Sequence, residues 1–158
     1  MKQSKKSVTL LIFALLFCFG VEWVAGLLTR HSLTTWYPTL KKPVWTPPNF
    51  VFPIAWTILF VLIGVSFWLV FRNSRACSFK VLFVFFLQMA LNTLWSYTFF
   101  YLQQPGLACV VIFFLLLAIY WNIRVFYPHS KLASKLLFPY LIWVMYATTL
   151  NISIWLNN

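Results

Sequence analysis

The chain has 158 residues, 63% hydrophobic and 22% aromatic, with only 8% charged and a mean hydropathy of +0.87. Soluble domains are about one quarter charged, so this chain has too few polar residues to cover a water-soluble particle, and its hydrophobicity excludes disorder. Twelve Lys and Arg oppose one acid, Glu22, for a formal net charge of +11, yet they sit between apolar runs rather than in a stripe. That pattern indicates membrane topology and anionic headgroups, and no nucleic-acid partner. The expected fold class is an all-α integral membrane protein, with residues 1–158 forming a single domain in the lipid bilayer.

The first apolar run, about 7–28, is roughly 22 residues and about 33 Å at helical rise, enough to cross the hydrocarbon core. It follows Lys2, Lys5 and Lys6, but it is too long for a signal-peptide core and lacks a small-x-small cleavage site, so it reads as a retained helix. Residues 29–46 break the pattern with Arg30, His31, Pro38, Lys41, Lys42 and Pro43, forming the longest polar connection. Thr46-Pro47-Pro48 then supplies a hydroxyl N-cap and first-turn prolines for a helix over about 47–71, with Pro53 one turn in as a source of bending.

After a basic loop with Arg72, Arg75 and Lys80, a third span covers about 81–102 and ends at the Gln103-Gln104-Pro105-Gly106 reversal. The fourth, about 107–126, is almost uniformly aliphatic from Val110 to Ile119. A loop with Pro128, His129, Lys131 and Lys135 leads to the fifth, about 136–156. Five spans with short links predict a five-helix bundle without repeats.

An odd number of spans places the N-terminus and the loops after spans two and four on one side. That side collects Lys2, Lys5, Lys6, Arg72, Arg75, Lys80, Arg124, Lys131 and Lys135, against Arg30, Lys41 and Lys42 on the other. The positive-inside rule predicts a cytoplasmic N-terminus, with the long loop and C-terminus outside, in a bacterial inner membrane. Cys18, Cys77 and Cys109 are odd in number and form no CxxC pair, and His31 and His129 lie far apart, so neither a metal site nor a disulfide framework is expected.

Polar groups at membrane depth are costly and mark pairing or binding. Asn92, Trp95, Ser96 and Phe99 share one face of the third span by i, i+3, i+4, i+7 spacing. Tyr140, Trp143, Ala147 and Asn151 repeat the pattern on the fifth, where small Ala147 leaves room between aromatic neighbours, and Trp56, Phe60 and Phe67 follow it on the second. These faces fit a pocket for a flat, largely apolar ligand. They equally fit interhelical hydrogen bonds through Asn92 and Asn151, worth roughly 0.6 to 2 kcal/mol each. Trp23, Trp68, Trp121 and Trp155 lie nearer the predicted ends and read as a headgroup belt. Glu22 fits a proton or ligand site, but reads first as snorkelling outward to pair with a loop base such as Arg30. Gly20 and Gly26 miss GxxxG spacing, so the dimer interface is not legible.

The stretch Trp36-Tyr37-Pro38-Thr39-Leu40-Lys41-Lys42-Pro43-Val44-Trp45-Thr46-Pro47-Pro48, followed by Trp56, resembles the WYxxLxKPxWxPP…W signature of the TspO/MBR family of tryptophan-rich sensory and translocator proteins, also called peripheral benzodiazepine receptors. Ala90-Leu91-Asn92-Thr93-Leu94-Trp95-Ser96 with Phe99-Phe100, and Pro139-Tyr140-Leu141-Ile142-Trp143 with Ala147-Thr148-Thr149-Leu150-Asn151, extend the resemblance in order over nearly the whole chain.

The resemblance implies a five-helix bundle, commonly a homodimer. It implies binding of porphyrins such as protoporphyrin IX, as ligand rather than prosthetic group, and of the synthetic ligand PK11195, in a pocket capped by the first loop. Trp56, Asn92, Trp143 and Ala147 match the family's pocket positions, and Tyr37 and Pro47 match its loop and helix entrance. The ligand-binding set thus comprises Tyr37, Pro47, Trp56, Phe60, Asn92, Trp95, Tyr140, Trp143, Ala147 and Asn151.

Some bacterial members degrade protoporphyrin in light, and the tryptophans implicated there correspond to Trp56 and Trp143, the candidate catalytic pair. No hydrolytic triad or carboxylate pair supports a conventional enzyme. The run from Leu150 to Asn158 lacks the Tyr and basic residue of the animal cholesterol-recognition segment, so sterol transport is not implied.

Overall fold

The computed structural model describes residues 2–72 and 78–158, with side chains from residue 7 onward. Arg75 and Cys77, and the side chains of Lys2, Lys5 and Lys6, lie outside the described residues. The helices are α1 (Lys2–Thr35), α2 (Val51–Phe71), α3 (Phe79–Ser96), α4 (Pro105–Phe126), α5 (Lys131–Leu136) and α6 (Phe138–Asn157). A 3-10 turn, Tyr37–Thr39, follows α1, and a π-turn, Tyr97–Tyr101, prolongs α3. There is no strand among the described residues. Five segments, Ser7–Thr35, Val51–Phe71, Phe79–Tyr101, Pro105–Phe126 and Lys131–Asn157, are long and apolar enough to cross a membrane.

Several boundaries differ from the sequence expectation, each for a local reason. α1 continues through Arg30 and His31 to Thr35, seven residues beyond the apolar run. Polar residues outside the hydrocarbon carry no penalty against helix, and the Thr34 and Thr35 hydroxyls bond back to the His31 carbonyl at 3.0 and 2.9 Å. The polar connection is correspondingly shorter, 36–50. Thr46 does not cap α2. Its amide and hydroxyl both donate to the Pro43 carbonyl, at 3.0 and 2.7 Å, closing a turn, and α2 starts at Val51. Pro53 consequently falls in the first turn, where its missing N–H would be unpaired in any residue, and no bend is needed. The last span is divided at Leu137, two residues before Pro139, which cannot donate the backbone bond that would continue α5 smoothly.

The helices form a ring. α1 packs on α2 and α3, α3 on α4, α4 on α6, and α2 closes against the α5–α6 segment. Phe60, Ile63, Phe85, Ile112, Leu115, Ile119, Phe126, Tyr140 and Ile154 are almost completely buried in the centre. Large apolar side chains such as Phe13, Leu16, Phe113, Leu117 and Ile142 point outward, as a lipid-facing surface requires. α1 and α2 approach closely at Gly64, where a Cβ would lie 2.9 Å from Leu15 Cδ2. The α3–α4 reversal turns through Gln103 at φ 55.

Buried polar groups tie the ring together. Ser66 Oγ donates to the Ala133 carbonyl at 2.8 Å, joining α2 to α5, and Ser134 Oγ donates to the Ile123 carbonyl at 3.0 Å, joining α5 to α4. Gln88 and Asn122 bury whole amides without a hydrogen-bond partner among the described residues.

Candidate functional site

α1 and α2, in contact at Gly64, flank a cavity near the loop end of the bundle, with α3 as its floor. Its volume is about 280 Å³. The α1 wall consists of Glu22, Ala25, Gly26, Thr29 and Leu33, at i, i+3, i+4, i+7, i+11 spacing on one helical face. α2 contributes Phe52, Pro53, Trp56 and Phe60, while α3 with its π-turn contributes Asn92, Trp95, Ser96 and Phe100. Tyr37 and Asn49 come from the loop.

The aromatic lining is held by ring contacts. Trp56 lies 5.9 Å from Phe60 and 6.3 Å from Trp95, centroid to centroid, and Trp95 lies 6.1 Å from Phe100. The π-turn explains why Phe100, and not Phe99, reaches the cavity. Its wider winding rotates the following residues, returning Phe100 to the Asn92 and Ser96 face and turning Phe99 into the core against Trp36.

Of the residues expected to bind ligand, Tyr37, Trp56, Phe60, Asn92 and Trp95 line this cavity together. Tyr140 and Trp143 stand behind it. Tyr140 packs edge-on against Trp56 at 6.2 Å, and its hydroxyl accepts from Asn92 Nδ2 at 2.9 Å, orienting that amide. Trp143 packs against Phe52 at 6.1 Å and Tyr146 at 5.7 Å, and its indole N–H is buried without a partner among the described residues. Asn151 is occupied as an interhelical tie: Oδ1 accepts from Trp95 Nε1 at 3.0 Å, and Nδ2 donates to the Pro105 carbonyl at 2.8 Å and to Cys109 Sγ at 3.2 Å. Ala147 is buried on α6 and Pro47 is half-buried in the loop, both outside the lining.

The loop is fastened over this end. Tyr146 donates to the Trp45 carbonyl at 2.8 Å, and Lys42 Nζ donates to the Tyr37 carbonyl at 2.8 Å while lying 4.4 Å from the Tyr37 ring centroid. Burial raises the pKa of the Tyr37 phenol above its usual value, and the nearby Tyr146 phenol adds to the rise.

Apart from Glu22, for which a ligand site is the second reading, the α1 wall is not expected from the sequence, although its spacing is readable. Glu22 lies 13 residues before the end of α1 at Thr35 and six residues, about 9 Å along the axis, inside the end of the apolar run at Leu28. Instead of pairing with Arg30, its Oε1 accepts from the Thr57 hydroxyl of α2 at 2.7 Å. Trp23, the next residue, is 67% exposed and points away from the cavity.

Five spanning helices, three of which enclose an aromatic cavity together with the first loop, define a polytopic α-helical membrane protein with an internal site near one face. The model of the TspO/MBR family matches residues 14–156, and the chain belongs to that family. It is 40% identical over 148 residues to the tryptophan-rich protein TspO of Archaeoglobus fulgidus, covering 94% of this chain and 96% of that relative. It is 37% identical over 125 residues to the protein CrtK of Rhodobacter capsulatus, 78% of each chain. With the human translocator protein it shares 35% identity over 126 residues, 78% of this chain and 75% of the other.

Proposed function

We propose that this protein binds tetrapyrroles, protoporphyrin IX above all, and acts as a membrane sensor or transporter in porphyrin regulation. The observation that carries the reading is the joining of Tyr37, Trp56, Phe60, Asn92 and Trp95 around one cavity. Indole and phenyl rings in the wall suit a flat macrocycle, and an oriented amide suits its polar edge. Sensing and translocation appear in the names of the relatives, which include a tryptophan-rich sensory protein of Cereibacter sphaeroides as well as the human translocator protein. The volume of about 280 Å³ takes part of a macrocycle, and the 36–50 loop opens to admit the rest. In this reading Lys42 faces the carboxylate edge of the porphyrin, compounds such as PK11195 compete for the cavity, and the functional unit is a homodimer in a bacterial inner membrane with a cytoplasmic N-terminus.

A dark titration with protoporphyrin IX, followed by tryptophan fluorescence, is expected to saturate. Quenching that rises linearly with porphyrin contradicts the reading. A second reading, light-driven porphyrin degradation, draws on the placement of Trp56 in the cavity wall, 6.3 Å from the Trp95 ring, where an indole is able to supply an electron to a photoexcited macrocycle. Illumination of the saturated sample tests it: degradation gives a new chromophore whose yield falls in Trp56→Phe and Trp143→Phe, and simple binding gives none.

A further inference from the structure

The only acidic side chain of the chain stands in the wall of a largely apolar and aromatic cavity, near the middle of the Ser7–Thr35 segment. Glu22 Oε1 accepts the Thr57 hydroxyl, while Oε2 has no hydrogen-bond partner among the described residues. No Lys, Arg or His belongs to the described lining, and Lys42 of the loop is engaged with Tyr37, which does line it. An acidic group within the membrane calls for something to pair with it, and no cation stands beside it among the described lining residues. Around it are the rings of Tyr37, Phe52, Trp56, Phe60, Trp95 and Phe100, whose faces attract positive charge.

We propose that the cavity also takes flat organic cations, ligands in which a protonated nitrogen is carried on an aromatic body, and that Glu22 is the residue that selects them. The aromatic walls stack on the body of such a ligand, and Glu22 Oε2 receives its N–H. This goes beyond the porphyrin reading, and either stands if the other fails. It also gives Glu22 a directional role: anionic substituents are turned away from α1 and toward the lysine-bearing mouth.

The test compares two probes of nearly equal shape near neutral pH, 9-aminoacridine, which is a cation, and acridine, which is uncharged. The full chain is held in nanodiscs of phosphatidylcholine, so that lipid contributes no net charge, and binding is followed by tryptophan quenching. Wild type is expected to bind the cation about tenfold more tightly than acridine. Glu22→Gln is expected to bring the two within about twofold by weakening only the cation, its unchanged acridine affinity reporting an intact cavity. Thr57→Val keeps the carboxylate and is expected to keep the preference. Equal affinities in wild type, an undiminished preference in Glu22→Gln, or absence of saturable binding by either probe overturns the proposal. Should Glu22→Gln fail to fold, Glu22→Asp decides, because withdrawing the carboxylate by one methylene must reduce the preference severalfold while acridine binding stays constant.

Discussion

The indole of Trp95 donates to Asn151 Oδ1 at 3.0 Å, so the cavity wall on α3 is fixed from α6. The same amide spends its nitrogen on the start of α4, at the Pro105 carbonyl. Asn151 thus joins three helices, with both amide protons already donated. Asn151→Ala would orphan the buried Trp95 N–H and is expected to cost about 1–3 kcal/mol. A lowered unfolding temperature in detergent, relative to the exposed control Ile152→Ala, checks this, and equal temperatures would contradict it.

Gln88 and Asn122 present the opposite case. Their amides are buried and unpartnered among the described residues, and a buried polar group without a partner costs about 1–3 kcal/mol by mutational measures. Gln88→Met and Asn122→Leu, which keep approximate shape, are expected to leave stability unchanged or raise it by about 1 kcal/mol. A marked loss in either variant would mean that the amide has a partner in the membrane-embedded protein.

Tyr37 makes a prediction about alkaline pH. The pKa of its phenol is raised above the ordinary tyrosine value by burial first and by Tyr146 second. A group with a raised folded-state pKa contributes fully below its unfolded value. As pH climbs past that value the unfolded chain releases its proton first, so folding stability falls. Wild type is therefore expected to lose thermal stability from about pH 10 upward more steeply than Tyr37→Phe. Parallel pH profiles would contradict this.

Membrane orientation is open to a direct chemical test. Val44 is fully exposed at the crest of the 36–50 loop. In a chain with Cys18, Cys77 and Cys109 replaced, Val44→Cys is expected to react with an impermeant maleimide added to intact bacterial cells. Labelling only after permeabilisation would reverse the assignment.

Which parts of this structure were readable in advance follows from which forces decide them. Long apolar runs force helices in lipid, because every backbone group must be paired within the segment, so all five spans were legible. Their ends are decided by local bonds that hydropathy does not encode, such as those from Thr34 and Thr35 to His31 and from Thr46 to Pro43. Helical spacing brought Trp56, Phe60, Asn92 and Trp95 to the cavity correctly. It failed at Phe99 and Phe100, because a π-turn changes the winding without an evident sequence mark. It did not give the partner of Glu22, which is the Thr57 hydroxyl of α2 and not Arg30, because contacts between helices are not written in the spacing of one. Spacing alone also does not separate Trp56, in the wall, from Trp143, behind Phe52.

The central claim is that the aromatic wall binds a tetrapyrrole, and the measurement that addresses it most directly is the dark affinity for protoporphyrin IX of wild type, Trp56→Leu and Trp23→Leu in nanodiscs. Trp56 lines the cavity, and Trp23 is exposed on the lipid-facing side of α1. The account predicts saturable binding that weakens about tenfold in Trp56→Leu, the loss of one stacking ring, and changes less than about twofold in Trp23→Leu. Linear, non-saturating quenching in all three, or equal weakening by both substitutions, would contradict it.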